Sequence, residues 1–152
     1  MANPLTVIIP MKQDADIAKL AGILHAQQDA IDAARSGIAT LHYTFFLILD
    51  HSSPNLQLQP GSSGPFSLAV ITIFDGELDD YIAAVVKDLG PAFSLLLSYS
   101  ADGQHLLPVA DHYDEFAAYI RGNDASQHPP NDQLRFWGAY PDTAQQIVGD
   151  TS

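Results

Sequence analysis

The fold is decided by two apolar stretches, residues 40–50 (TLHYTFFLILD) and residues 66–74 (FSLAVITIF). Both are rich in aromatic and β-branched side chains, which favour β-strands. The segment between them, residues 52–65 (SSPNLQLQPGSSGP), is rich in proline, glycine and serine and is too long for a tight turn. The two stretches therefore predict a long antiparallel hairpin with an extended loop.

A strand and a helix are predicted before this hairpin. Residues 5–11 (LTVIIPM) form a short β-branched run, which predicts a first strand. From Asp14 onward the apolar residues recur at helical spacing, and the pattern ends between Arg35 and Gly37. One helix is therefore expected across this segment.

A second helix is predicted directly after the hairpin. Asp75 is the expected N-cap, and residues 78–89 have nearly ideal helical spacing of apolar side chains. Gly90 and Pro91 are expected to end the helix. Residues 92–100 (AFSLLLSYS) are too few for periodicity to separate a strand from a buried helix, and both alternatives stay open.

The remaining segments complete the element order. Residues 111–121 predict a short third helix, residues 123–133 a polar loop, and residues 134–140 (LRFWGAY) a last strand. The order is β-α-β-β-α, an inserted helix, then β. It predicts one α+β domain over residues 1–152, with a ferredoxin-like antiparallel sheet and the main helices on one face.

The other face of that sheet is expected to be buried against something, because the second strand carries apolar side chains on both of its faces. Strict alternation places Leu41, Tyr43, Phe45 and Leu47 on one side and Phe46 and Ile48 on the other. The simplest cover is a second copy of the chain, so the sequence predicts a homodimer that packs sheet to sheet.

Composition excludes several classes of partner and site. The chain has 18 acidic and 6 basic residues and a net charge of -12, which argues against binding nucleic acid or an anionic membrane surface. It contains no cysteine, so disulfides and thiolate sites are excluded. No secretory leader and no long membrane-spanning stretch is evident, and a cytoplasmic location is expected.

Three short motifs resemble a known superfamily. These are LHYTFF at residues 41–46, FDG at residues 74–76 and AYPDT at residues 139–143. Together with the element order they resemble the dimeric α+β barrel superfamily, and within it uncharacterised bacterial proteins of which some are labelled peroxidase- or catalase-like. The resemblance implies a small hydrophobic pocket and oxygenase- or peroxidase-like chemistry, in some branches with haem. The arginine that often follows the strand-two histidine in the nearer group is missing here.

His42 is the candidate catalytic residue. If its imidazole lines a cavity, it could act as a general base, a proton shuttle or an axial ligand of a metal centre. The alternative is an imidazole that is hydrogen-bonded within the core or at the dimer interface. The cofactor is left open.

The candidate substrate-binding residues would form an aromatic, partly polar pocket for a small hydrophobic or aromatic ligand. They are Tyr43, Thr44, Arg135, Trp137 and Tyr140. Packing explains the aromatic residues equally well, and a surface ion pair explains the arginine. The donors within residues 105–115 lack metal-ligand spacing, so no metal site is predicted. The function is thus either a small-molecule enzyme or a non-catalytic binding or assembly module.

Overall fold

A computed structural model describes residues 2–126, which form a three-stranded antiparallel sheet and four α-helices. The α+β class is confirmed. In chain order the elements are β1 (Ala2–Pro10), α1 (Ile17–Ala26), α2 (Gln28–Gly37), β2 (Leu41–Asp50), β3 (Phe66–Asp75), α3 (Leu78–Ser98) and α4 (Tyr113–Gly122). Two 3-10 turns, Gln104–Leu106 and Val109–Asp111, connect α3 to α4.

The predicted hairpin is confirmed, and its second strand is the centre of the sheet. The strand order is β1-β3-β2, with both neighbours antiparallel to β3. β1 begins earlier than predicted, because residues 2–4 continue the pairing as far as Asp75. β2 therefore lies at one edge of this sheet and β1 at the other.

The sheet has an inner face, which packs on the helices, and an outer face. The inner face contributes to one hydrophobic cluster with all four helices, and its strand residues are Leu5, Val7, Ile9, Thr44, Phe46, Ile48, Leu68, Val70, Thr72 and Phe74. Alternation places the following residues on the outer face: Pro4, Thr6, Ile8, Pro10, Tyr43, Phe45, Leu47, Leu49, Ser67, Ala69, Ile71 and Ile73. None of these twelve side chains belongs to the core cluster, and none is charged. Asp75, the last residue of β3, has the same parity and is the charged residue at the end of this face.

The first predicted helix is two helices. Asp16 caps α1 by accepting a hydrogen bond from the Lys19 amide at 2.9 Å, and the helix ends at Gln27. α2 begins at the next residue and buries Ile31. No proline or glycine lies at the break, so local sequence does not explain it.

The prediction that the second helix ends at Gly90 and Pro91 is wrong, because α3 continues to Ser98. Pro91 deprives the Lys87 carbonyl of its helical donor. The helix continues nevertheless, since one buried stripe runs along its whole length and includes Val85, Leu89, Phe93, Leu96 and Leu97. This also settles residues 92–98 as helical.

α3 is the one helix within residues 2–126 that is long and apolar enough to cross a bilayer. A core helix meets the same criterion, and α3 packs against the inner face. This finding is weak evidence for a membrane span, and the cytoplasmic location stays a prediction.

The third predicted helix is α4, and its buried residues Phe116, Ala117 and Ile120 are as expected. After it, residues 123–125 run along the free edge of β1. The Ile8 amide donates to the Asn123 carbonyl at 3.0 Å, and the Ala125 amide donates to the Thr6 carbonyl at 2.7 Å. The predicted last strand at residues 134–140 lies outside the described residues.

Candidate functional site

His42 lies beside an acidic residue at one end of the sheet. Its Nε2 atom is 3.0 Å from Oδ1 of Asp75, and the two side chains are only 13% and 12% exposed. The atoms are close, but their angles fall short of hydrogen-bond geometry. The site is therefore a close histidine–carboxylate pair that is largely shielded from solvent.

Local backbone features bring the two residues together. A register shift between Leu41 and Tyr43 marks a β-bulge at His42, where alternation along β2 is interrupted. Because of this bulge Leu41 packs with the core, whereas Tyr43 lies on the outer face. Strict alternation had placed both on the same side, and that prediction is corrected. Bulges of this kind commonly re-aim a side chain beside a functional site.

Asp75 is the last residue of β3, and the prediction that it caps the following helix is wrong. The N-cap residue of α3 is Glu77. Between them Gly76 has φ +86°, a conformation that glycine adopts without strain, and it turns the chain from strand to helix. The turn leaves the Asp75 carboxylate beside His42 rather than over the first turn of α3.

A cleft of about 490 Å³ lies at the same end of the sheet, against the residues that flank Asp75. It is lined by Asn3, Pro4, Leu5, Phe74, Gly76, Glu77, Leu78, Arg121 and Asp124. Asn3 donates from its amide to the Gly76 carbonyl at 3.0 Å, and Arg121 forms an ion pair with Asp79. The cleft thus combines an apolar floor with a polar rim, and His42 is not among its lining residues.

The space between sheet and helices is filled at the centre of the domain. A void of about 20 Å³ remains there, bordered by Thr72, Tyr81 and apolar side chains. This is room for about one water molecule. Within residues 2–126, the central core therefore offers no pocket for a substrate at this position.

The structure separates the predicted substrate-binding residues. Tyr43 is 47% exposed on the outer face, with its ring centroid 5.1 Å from that of Phe45. Thr44 is buried on the inner face opposite Thr72. Arg135, Trp137 and Tyr140 fall outside the described residues, so their predicted roles stay predictions.

Some polar residues were not anticipated from the sequence. Asn3 on β1 lines the cleft together with Arg121 and Asp124, which lie at the end of α4 and just after it, and no spacing signal links Asn3 to the other two. His51 also has an unexpected partner, since its Nε2 lies 2.8 Å from Oγ of Ser67. Within residues 2–126 no group of three histidine, aspartate or glutamate side chains could hold a metal ion.

Comparisons with known proteins give no relative: no family model, curated protein or solved structure matches the chain.

Proposed function

We propose that the chain is a homodimeric small-molecule enzyme in which His42 transfers a proton under the control of Asp75. The observation that carries the proposal is the 3.0 Å approach of Nε2 to Oδ1 between two largely buried side chains. The substrate would be a small hydrophobic or aromatic compound bound at this end of the sheet. The oxygenase- or peroxidase-like class implied by the resemblance is part of the proposal.

The chemistry follows from the pair itself. A carboxylate beside one ring nitrogen holds the imidazole in place and stabilises the imidazolium that forms when the other nitrogen takes a proton. Here Asp75 faces Nε2, so Nδ1 is the nitrogen that would act on the substrate. Proton abstraction from an acidic C–H or O–H group is the step that oxygenation and isomerisation have in common.

His42 is not proposed as a haem ligand. Ligation by His42 would require the ring to face a cavity large enough for the macrocycle. The cleft at this end is not lined by His42. The described residues therefore favour acid–base chemistry over haem chemistry.

The ferredoxin-like topology and the barrel dimer are proposed as the framework. The order β1-β3-β2, the helices on one face and the pairing of residues 123–125 with the free edge of β1 support it. A fourth strand beside β1 would give the ferredoxin-like order. Two outer faces could pack against each other through their uncharged central residues without opposing like charges, although the chain carries a net charge of -12.

The second candidate is a non-catalytic assembly module. It is favoured by the apolar outer face, where Tyr43 and Leu47 are 47% and 43% exposed. In that case the His42–Asp75 pair would have only a structural role and would stabilise the contact between the end of β2 and the end of β3.

The experiment is a solvent deuterium-exchange assay with small aromatic ketones that carry an acidic C–H group. Wild-type protein is expected to catalyse deuterium incorporation, and His42→Gln to reduce the rate by about 100-fold or more. Asp75→Asn should reduce it as well, and His25→Gln, at an exposed position on α1, should leave it unchanged. No incorporation by the wild type, together with a weaker dimer in His42→Gln, would instead establish the assembly module.

A further inference from the structure

The outer edge of β2 is the most exposed apolar feature of the described residues. Four large apolar side chains are at least 40% exposed there: Tyr43, Leu47, Leu56 and Leu58. The first two are on β2. The other two flank Gln57, which pairs with Leu49 along the same edge of the strand. Scattered apolar residues are normal on a surface, but a cluster along one strand edge indicates a contact site.

The backbone at this edge is also available. The Asp50 amide donates outward to Leu56, and the His51 amide donates inward to Pro65, so even-numbered residues of β2 direct their backbone groups away from β3. The outward groups of Thr44 and Phe46 make no backbone hydrogen bond to any residue within 2–126. Unpaired strand edges of this kind recruit another strand unless charge, proline or a cover protects them.

The free edge is limited at both ends. The bulge at His42 interrupts the regular strand at one end, and the bridge between Leu49 and Gln57 occupies the edge at the other. Residues 43–47 (YTFFL) remain, and none of them is charged or proline. Natural edge strands usually carry such protection, and its absence here indicates that the edge is covered in the functional protein.

We propose that β2 pairs antiparallel with β2 of a second copy, so that the sheets of the two copies, each with the three described strands β1, β3 and β2, become one continuous sheet. A two-fold axis at Phe45 would place Thr44 opposite Phe46 of the partner subunit and Tyr43 opposite the partner's Leu47. No charged residue would then face another charged residue, although each chain carries a net charge of -12. Exposed Leu56 and Leu58 would extend over the beginning of the partner strand.

This pairing goes beyond the proposed function, because it concerns the edge of the sheet and holds whether or not His42 is catalytic. The occupant is a second copy because the segment is self-complementary. In the antiparallel pair the uncharged edge of one copy lies against the same uncharged edge of the other. The exposed Leu56 and Leu58 beside one end of the segment then lie near the exposed Tyr43 of the partner subunit. A partner of different sequence would gain no such match at both ends.

The test uses the full chain and two substitutions at one position. Thr44→Pro removes an outward amide without removing a bond to β3, and edge strands accept proline at such positions. Thr44→Val keeps the amide and the shape of the side chain. Sedimentation analysis is expected to show the same association for the wild type and Thr44→Val. In Thr44→Pro the edge contact should be at least about tenfold weaker, because two symmetry-related hydrogen bonds are lost. This contact converts monomer to dimer or, where the outer faces also pair, dimer to tetramer.

A measurement on the wild type covers the case in which Thr44→Pro does not fold. Amide hydrogen exchange at Thr44 and Phe46 should slow as protein concentration rises through the range in which the chains associate. Rapid exchange at all concentrations, a monomeric wild type, or association of Thr44→Pro that equals that of the wild type at every step would overturn the pairing.

A further variant separates edge pairing from the face-to-face dimer. Ile8→Glu puts a charge on the outer face of β1, at the opposite side of the sheet from the β2 edge. Protection at the β2 amides should survive this substitution. Its loss in Ile8→Glu, with a normal dimer in Thr44→Pro, would show that only the outer face forms the interface.

Discussion

The hydroxyl of Tyr81 on α3 lies 3.1 Å from Oγ1 of Thr72 on the central strand. Thr72 also donates to the Tyr43 carbonyl at 3.0 Å. Since a threonine hydroxyl has one proton, Tyr81 must be the donor to Thr72. This chain of hydrogen bonds joins a helix and two strands through a buried position, and it requires Tyr81 to keep its proton.

The first prediction is that Tyr81 makes the fold sensitive to alkali. Burial raises the pKa of Tyr81 above its ordinary value of 10.0. The stabilisation from the neutral hydroxyl is therefore complete below pH 10 and is lost as the pH rises from 10 toward the raised value. Tyr81→Phe should cost about 1 kcal/mol of unfolding free energy at pH 8, from the lost hydrogen bond.

Urea unfolding of both proteins between pH 8 and pH 11 checks this. The difference between wild type and Tyr81→Phe should shrink above pH 10 and then change sign. A difference that stays constant over this range would show that Tyr81 does not ionise with unfolding.

The second prediction concerns Asp50, which holds the start of the hairpin loop. Its Oδ1 accepts from the Ser52 hydroxyl at 2.6 Å and from the Ser52 amide at 2.9 Å. The Ser52 hydroxyl is the main cause that lowers the pKa of Asp50 below its usual 3.8, with a second contribution from Ser62. The stabilisation is present above pH 3.8 and is lost as the pH falls through the lowered value.

Asp50→Asn should therefore lower the melting temperature at pH 6 and have a smaller effect near pH 2.5. Asp14→Asn, at an exposed position, is the control and should change little at either pH. An equal loss for Asp50→Asn at both pH values would contradict a role for the carboxylate charge.

Much of the fold could be predicted from sequence, because the strands and α4 follow directly from apolar pattern. The errors came where tertiary packing outweighed a local signal. Gly90 and Pro91 are strong helix breakers, yet the buried stripe from Val85 to Leu97 carries α3 past them. The break at Gln27 is the opposite case. The sequence pattern there is continuously helical, yet the structure interrupts the helix, and no local residue explains the interruption.

The site could be predicted only in part. The sequence indicates His42 as a candidate because it is an imidazole on an apolar strand, but it predicts that Asp75 caps the following helix. An aspartate after a strand and before a helix is usually a cap, and only the turn at Gly76 directs it back to His42. The bulge that shifts the register of β2 leaves no mark in the residue pattern, so the two faces near His42 could not be assigned by alternation.

The third prediction contrasts two glycines. Gly103 is buried, and a Cβ added there would lie 2.7 Å from Cδ2 of Leu97, a side chain that has no exposed surface. Gly103→Ala should therefore destabilise the fold by about 1 to 3 kcal/mol through overpacking.

Gly22, exposed within α1, has nothing within 4 Å of an added Cβ. Gly22→Ala should stabilise by about 0.5 to 1 kcal/mol, since alanine favours the helix. Chemical denaturation measures both, and a neutral Gly103→Ala would mean that Leu97 can move.

The fourth prediction is that Pro91 weakens α3. It lies exposed within the helix, so replacing it removes little packing. In Pro91→Ala the new amide can donate to the Lys87 carbonyl, and the unfolding free energy should rise by about 1 kcal/mol or more. Pro91→Gly restores the same amide without the helix propensity of alanine, so it should be less stable than Pro91→Ala by about 1 kcal/mol. Urea denaturation of the three proteins gives this order. If both replacements are less stable than the wild type, the packing of α3 on the inner face depends on the helix geometry that proline imposes, and the restored hydrogen bond is the smaller effect.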